Sequence, residues 1–228
     1  IANPMTNRSG SAAVLLLSTY DLGHQPFGLA SPAAWLENAG MDVTCNDLAV
    51  EDLDQGAAQT ATLIALYIPM HTATRMAAEL LPRLRALNPI AHINCYGLYG
   101  PVNGDYLKSL GANSVTGGEF EGPLVELAKS LAAGTPPSVP LVSLAKQAFQ
   151  IPQRSDLPTL SHYGTLNDGR DRSVVAGYTE ASRGCKHTCL HCPVVPVYKG
   201  KFRVVQRDVV MADIRNQVAA GARHITFG

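Results

Sequence analysis

The sequence predicts an open α/β sheet covered by helices on both faces, then a connector, then a smaller βαβ unit. Three observations lead there. Short apolar runs alternate with helix-period segments up to about residue 134, five prolines crowd 134–172, and a strand–helix–strand pattern returns from 173 onward. Alternation of this kind favours a mostly parallel, doubly wound sheet. The expected boundaries are 10–134, 135–172 and 173–228.

Residues 12–19 are a continuous apolar run of strand length, which suits a parallel strand buried on both faces. Ser31 and Pro32 read as the N-cap and first turn of a helix that runs to Ala39 and stops at Gly40. Residues 41–45 and 60–68 read as the second and third strands. A helix over 73–87 puts Met76, Leu80, Leu84 and Leu87 on one face, with Pro82 expected to kink or split it. Residues 90–96 are a fourth strand and 112–116 a weaker fifth. A helix over 123–133 turns Leu124, Leu127 and Leu131 inward.

In the connector, Pro136, Pro137, Pro140, Pro152 and Pro158 break regular structure. A short helix is expected near 144–149, and Asn167-Asp168-Gly169 signals a turn. The segment is expected to cover the cleft between the two folded parts. Beyond it, 173–179 reads as a strand. Asp208 caps a helix with Val210, Ile214 and Val218 on one face, Gly221 ends it, and 223–227 is another strand.

Lys+Arg and Asp+Glu both number 18, so bulk charge suggests no nucleic-acid or polybasic membrane partner. Charged residues are 16% and hydrophobic ones 46%, a globular composition. No apolar run reaches membrane-span length, and no signal-peptide pattern is present. Ile1-Ala2-Asn3-Pro4 ahead of Met5 reads as an added leader. A reducing, cytoplasmic setting is the expectation.

The chemistry concentrates in Cys185, Cys189 and Cys192, spaced Cys-x3-Cys-x2-Cys. Three thiolates within eight residues can wrap one metal centre and leave one position open. Zinc is a rival, because His187 and His191 interleave with the cysteines and could complete a Cys3His set. Cys45 and Cys95 lie far away in apolar segments and read as small buried hydrophobes. From Ser182 to Arg207 the cations Arg183, Lys186, Lys199, Lys201, Arg203 and Arg207 occur with no Asp or Glu, a balance that would raise a cluster's reduction potential.

The run Arg183-Gly184-Cys185 through Cys192-Pro193 resembles the signature of the radical S-adenosylmethionine (radical SAM) enzymes. The resemblance implies a 4Fe-4S cluster on Cys185, Cys189 and Cys192. Its open iron would bind S-adenosylmethionine and cleave it reductively to a 5′-deoxyadenosyl radical. It also implies that His191 stacks on the adenine and that Phe227-Gly228 begins the stretch holding the methionine amino group. The family's catalytic domain is a (β/α) barrel of the TIM type. Residues 173–228 would be its first βαβ unit, with an open edge and most of the barrel beyond Gly228; a fragment of a longer protein is expected. The first sheet is similar to the Rossmann-like, cobalamin-binding domain of the cobalamin-type members. Gly117-Gly118-Glu119 resembles that domain's closing Gly-Glu loop, and 23–32 resembles a bacterial group within the superfamily.

Ligands on such sheets bind beyond the carboxyl ends of the strands. Gly23, His24, Met70, Gly97, Gly100, Gly118 and Glu119 are therefore the expected cofactor residues of the first domain, the glycines allowing close backbone approach. The cobalt-ligating pattern Asp-x-His-x-x-Gly is absent: Asp21-Leu22-Gly23-His24 carries its histidine one place late. The implied activity is a radical SAM enzyme, with methyl transfer as its outcome if cobalamin is bound. Its partners would be a small-molecule or peptide substrate and an electron donor such as a flavodoxin or ferredoxin. The alternative is a non-catalytic Rossmann-type binding module with a structural zinc or iron–sulfur knuckle.

Overall fold

The computed structural model describes residues 12–167, 169 and 173–228. The expected leader at 1–4 and Asp168 of the expected turn lie outside them. The first part consists of β1 (Ala13–Ser18), α1 (Phe27–Asn38), β2 (Asp42–Asp47), α2 (Gln55–Thr60), β3 (Leu63–Tyr67) and α3 (His71–Leu87). It continues with β4 (His92–Tyr96), α4 (Tyr99–Val102), α5 (Gly104–Ser109), β5 (Ser114–Gly118), α6 (Glu121–Ala132) and β6 (Val142–Ser143). The six strands pair in the order β2-β1-β3-β4-β5-β6, all parallel. Their first five positions follow the flavodoxin-like variant of the doubly wound fold, whose direction of winding reverses between β1 and β3.

Strand periodicity divides the core in two. Val14 and Leu16 face one side with Leu29, Leu36, Leu124 and Leu127 from α1 and α6. Leu15, Leu17, Ile64 and Leu66 face the other with Leu80, Leu81 and Leu84 from α3. Both faces of the sheet are buried, as a parallel sheet requires.

Several expected boundaries move. The first helix begins at Phe27, a turn before Ser31, so Ser31 is buried inside it and Pro32 sits within it. Thr60 closes α2, and the third strand starts only at Leu63. Helix α3 passes through Pro82 unbroken, and Ala77 and Leu81 replace the half-exposed Met76 on its buried face. No helix forms at 144–149. Instead β6 adds to the sheet beside Gly117 and Gly118, and Phe149 packs with Val205 and Val210.

The described residues of the connector are stitched to their neighbours. Gln153 N donates to Ala30 O at 2.8 Å, and Asp156 accepts from Cys45 N at 2.6 Å. It leads to a 3-10 turn (Leu160–His162) and β7 (Thr165–Asn167). The last part is β8 (Ser173–Thr179), β9 (Ser182–Gly184), α7 (Val194–Tyr198), β10 (Phe202–Val204), α8 (Arg207–Ala219) and β11 (His224–Phe227). β8 pairs parallel with β11 and antiparallel with β7, so β8-α8-β11 is a βαβ unit. β9 and β10 form a separate antiparallel ribbon.

In α8 the inward face holds the expected Val210 and Ile214 but not Val218, and two polar side chains join it. Val218 is exposed, while Asp213 and Gln217 are buried beside Val210. Asp213 takes a two-pronged ion pair from Arg154 of the connector at 2.7 and 2.9 Å. Gln217 accepts from Tyr178 N at 2.9 Å and donates to Tyr178 O at 3.1 Å, imitating a strand. The helix cap is Gln206, ahead of the expected Asp208, which lies in the first turn. Among the described residues no helix is long and apolar enough to cross a membrane.

Candidate functional site

Beyond the carboxyl ends of the strands at the β1/β3 reversal lies a cavity of about 280 Å³. Asp21, Leu22 and His24 after β1, Pro69 and Met70 after β3, and Gly118 and Phe120 after β5 line it on the first-domain side. Tyr178, Glu180, Ser182, Arg183 and Gly184 line it opposite, together with Val194, Tyr198 and Gly228. Residues on both flanks of the cysteine loop thus form one wall. The volume sits near the low end of small-molecule sites, so a bulky ligand would lie partly outside it.

His24 stacks on Tyr178 with centroids 4.5 Å apart and planes 10° from parallel. Burial lowers its pKa, so the imidazole is neutral near pH 7. Asp21 is buried against the same cavity. Burial first, then Glu180 and Asp47, push its carboxyl up to about 7.

The base of the cysteine loop is pinned by an ion cluster. Arg183 gives Nη2 and Nη1 to the two oxygens of Glu121 at 2.7 and 2.9 Å, and Nε to Glu180 at 2.6 Å. Glu119 stands 3.5 Å from Nη1. Three carboxylates around one guanidinium cannot all ionise cheaply in a buried site. Burial raises Glu119 to about 7 despite Arg183, with Glu121 adding to the rise. Burial opposes ionisation of Glu121 too, but Arg183 and the hydrogen bonds from Ser31 and Gln147 bring its pKa below the ordinary value. Glu119 therefore shares its proton with solvent near pH 7, about half protonated there, while Glu121 is the anion.

Of the expected first-domain cofactor residues, His24, Met70 and Gly118 line the cavity and Gly23, Gly97, Gly100 and Glu119 do not. Gly97 has φ +106°, and a Cβ there would press on Ile68 O at 3.0 Å. A Cβ at Gly100 would meet Cys95 O at 3.0 Å. Both glycines let backbone approach backbone. Gly23 offers its carbonyl to Gly164 N at 2.7 Å. Glu119 turns to Arg183 instead of the cavity. Nor is the basic stretch uniformly free: Arg183 is consumed by carboxylates, and Arg203 donates to Leu144 O. Arg183, Glu121 and Tyr178 escaped the sequence reading as site residues, because their partners lie tens of positions away.

Gly228 lines the cavity, whereas Phe227 is exposed on β11. His191 is exposed. Cys185 and Cys192 are half-buried, Cys189 is exposed, and none is in a disulfide. Cys192 N donates to Cys189 O at 3.2 Å, forming a turn. Among the described residues no three His, Cys, Asp or Glu side chains stand close enough to hold one ion. The loop as it stands therefore converges neither the three thiols nor a Cys3His set. Its donor set still fits an iron–sulfur cluster: three thiols free of disulfides, on a segment that no helix or strand fixes, beyond the carboxyl end of β8.

Fold and site together describe a flavodoxin-order α/β domain whose switch-point cavity is walled on one side by the flanks of a three-cysteine loop on a following βαβ unit. The chain is similar to two solved structures of the radical S-adenosylmethionine methyltransferase TsrM from Kitasatospora setae. One has tryptophan substrate and a SAM analog bound, the other cobalamin and a [4Fe-4S] cluster. The first is 18% identical over 95% of this chain with TM-score 0.67, the second 19% identical over 96%, also with TM-score 0.67. This chain spans about half the length of those proteins, 48% in each case. At that identity the likeness is one of fold. No protein-family model and no curated protein sequence matches the chain.

Proposed function

We propose that this chain carries the cofactor-binding part of a radical SAM enzyme of the cobalamin-dependent methyltransferase kind. The observation that carries the reading is the shared cavity. The carboxyl edge of a doubly wound sheet and both flanks of a Cys-x3-Cys-x2-Cys loop line one space. Similarity of fold to a methyltransferase whose structures hold a SAM analog, cobalamin and a [4Fe-4S] cluster supports it.

In this reading Cys185, Cys189 and Cys192 hold a 4Fe-4S cluster, and 173–228 begin a radical SAM barrel. When bound, such a cluster supplies the electron that cleaves the sulfonium bond of S-adenosylmethionine. The chain's own residues shape where that happens. Gly184 and Gly228 line the cavity beside the loop, where a Cβ would press on Tyr198 and Tyr178. His191, exposed on the loop, is free to lie against an adenine. Neutral His24 on Tyr178 offers a flat wall beneath the first domain's loops. It would not need to ligate cobalt, in keeping with the missing Asp-x-His-x-x-Gly pattern. The substrate would be a small molecule or peptide, and a flavodoxin or ferredoxin would deliver electrons in a reducing cytoplasm.

Anaerobic reconstitution of the full-length protein with iron and sulfide tests the reading. About four irons per chain, a brown colour and reductant-dependent cleavage of S-adenosylmethionine are expected. Corrin absorbance after incubation with cobalamin would assign the first domain. One zinc and no colour would overturn the proposal in favour of a structural knuckle.

A further inference from the structure

We propose that Arg183 is a positioning residue. It locks the strand that leads into the first cysteine to the carboxyl edge of the sheet, so that the metal-binding loop and the switch-point cavity keep one relative placement. The functional consequence rests on the cluster reading above; the geometry does not.

Arg183 is 7% exposed and lies in β9, two residues before Cys185. All three of its guanidinium nitrogens are used, in a fork to Glu121 and single bonds to Glu180 and Glu119. Glu121 is itself held by Ser31 Oγ at 2.7 Å and Gln147 Nε2 at 2.8 Å. Three rings enclose the guanidinium, with its central carbon 4.7 Å from the Phe120 centroid, 5.2 Å from Phe149 and 5.8 Å from Phe27. The partners come from α1, the start of α6, the connector and the β8–β9 turn. One side chain therefore joins the sheet edge, the connector and the barrel unit at the foot of the cysteine loop.

The link from Arg183 to Cys185 is one residue long and closely packed, with Gly184 paired to Phe202 of β10. Gly184 takes φ +75°, and a Cβ there would run into the Tyr198 ring and Lys201 O. Lys201 N donates to Tyr198 O at 2.9 Å, closing the loop from its far end. Placement imposed at Arg183 is thus passed to Cys185 through a single residue packed against α7 and β10. A lysine would keep the charge but not the planar fork or the stacking, so Arg183→Lys separates positioning from charge.

The test follows each thiol separately in the iron-free, full-length protein. Iodoacetamide alkylation is read by peptide mass at Cys185, Cys189 and Cys192. In the native protein half-buried Cys185 is expected to react more slowly than exposed Cys189. Arg183→Lys should raise the Cys185 rate several-fold, leave Cys189 unchanged and, after reconstitution, shift the midpoint potential of the bound cluster. Glu121→Gln should act likewise, and the double variant should do no more than either alone. A Cys185 rate in Arg183→Lys equal to the native one, or additive effects in the double variant, overturns the proposal. Should Arg183→Lys fail to fold by circular dichroism, Gln147→Ala removes one bond to Glu121 and a longer one to Glu119 and decides the matter. A smaller rise at Cys185 supports the role, and no rise sinks it. Native protein that takes up no iron, yet shows these alkylation changes, defeats the cluster reading and leaves the positioning role standing.

Discussion

Tyr96 donates its phenolic hydrogen to the carbonyl of Gly28 at 2.7 Å, across 68 positions of chain. That carbonyl is the one Pro32 cannot serve, because a proline inside a helix has no N–H for the residue four before it. The sheet thus supplies the hydrogen bond that the helix lacks. Gly28 also admits the neighbouring Tyr67, since a Cβ there would enter the Tyr67 ring.

Tyr96→Phe should leave the Gly28 carbonyl buried without a donor and lower stability by ~1–3 kcal/mol. In a Pro32→Ala background the cost should shrink, because that substitution restores a backbone N–H four residues after the carbonyl. Urea unfolding of the four proteins measures the coupling. Equal costs in both backgrounds would refute the assignment.

Arg154 is the hub between connector, α8 and the first domain. It reaches Asp213, Gln25 Oε1 at 2.8 Å and Tyr178 O at 2.9 Å. Arg154→Met should cost ~3–5 kcal/mol, because it strands a buried carboxylate. Arg154→Met with Asp213→Leu should recover most of that loss. Thermal and chemical denaturation report both, and a double variant no better than the single would contradict the account.

Stability should fall as pH rises from about 4.5 to 7. Glu119 and Asp21 both have folded pKa values raised to about 7, so the folded state binds more protons than the unfolded chain in that window. Each group contributes a slope of at most ~1.4 kcal/mol per pH unit. Glu119→Gln and Asp21→Asn should each flatten the curve. Glu121, held below its ordinary value, acts at the acid end with the opposite sign: its contribution is lost as pH falls through its folded pKa. Unfolding free energies across the window check this, and an unchanged slope in both variants would count against it.

Under the proposed function, Cys185→Ala, Cys189→Ala and Cys192→Ala should each abolish the brown colour and most of the bound iron after reconstitution. Cys45→Ala and Cys95→Ala should leave iron binding intact. Both of those thiols are buried in strands, with burial the chief cause of pKa values pushed far up. His191→Phe should retain the iron. Iron and sulfide analysis distinguishes the outcomes, and cluster retention in all three single variants would contradict the ligand assignment.

What the sequence by itself determined is what depends on near neighbours in the chain. Short apolar runs marked β1, β4 and β8 to within a residue or two, leucine spacing marked α3 and α6, and the cysteine spacing marked the only dense set of soft ligands in the chain. The first helix slipped by a turn because Ser31 and Pro32 look locally like a start. A distant tyrosine and Glu121 accept them inside the helix instead. The tertiary structure alone decided which loops meet. It set the reversal between β1 and β3, the turn of Glu119 toward Arg183 and away from the cavity, and the burial of Asp213 and Gln217 on a face that reads as apolar. The physical reason is that a buried charge or carbonyl is tolerated only where a partner completes it. Those partners stand 39 positions apart from Tyr178 to Gln217, 59 from Arg154 to Asp213 and 64 from Glu119 to Arg183, beyond the reach of any local pattern.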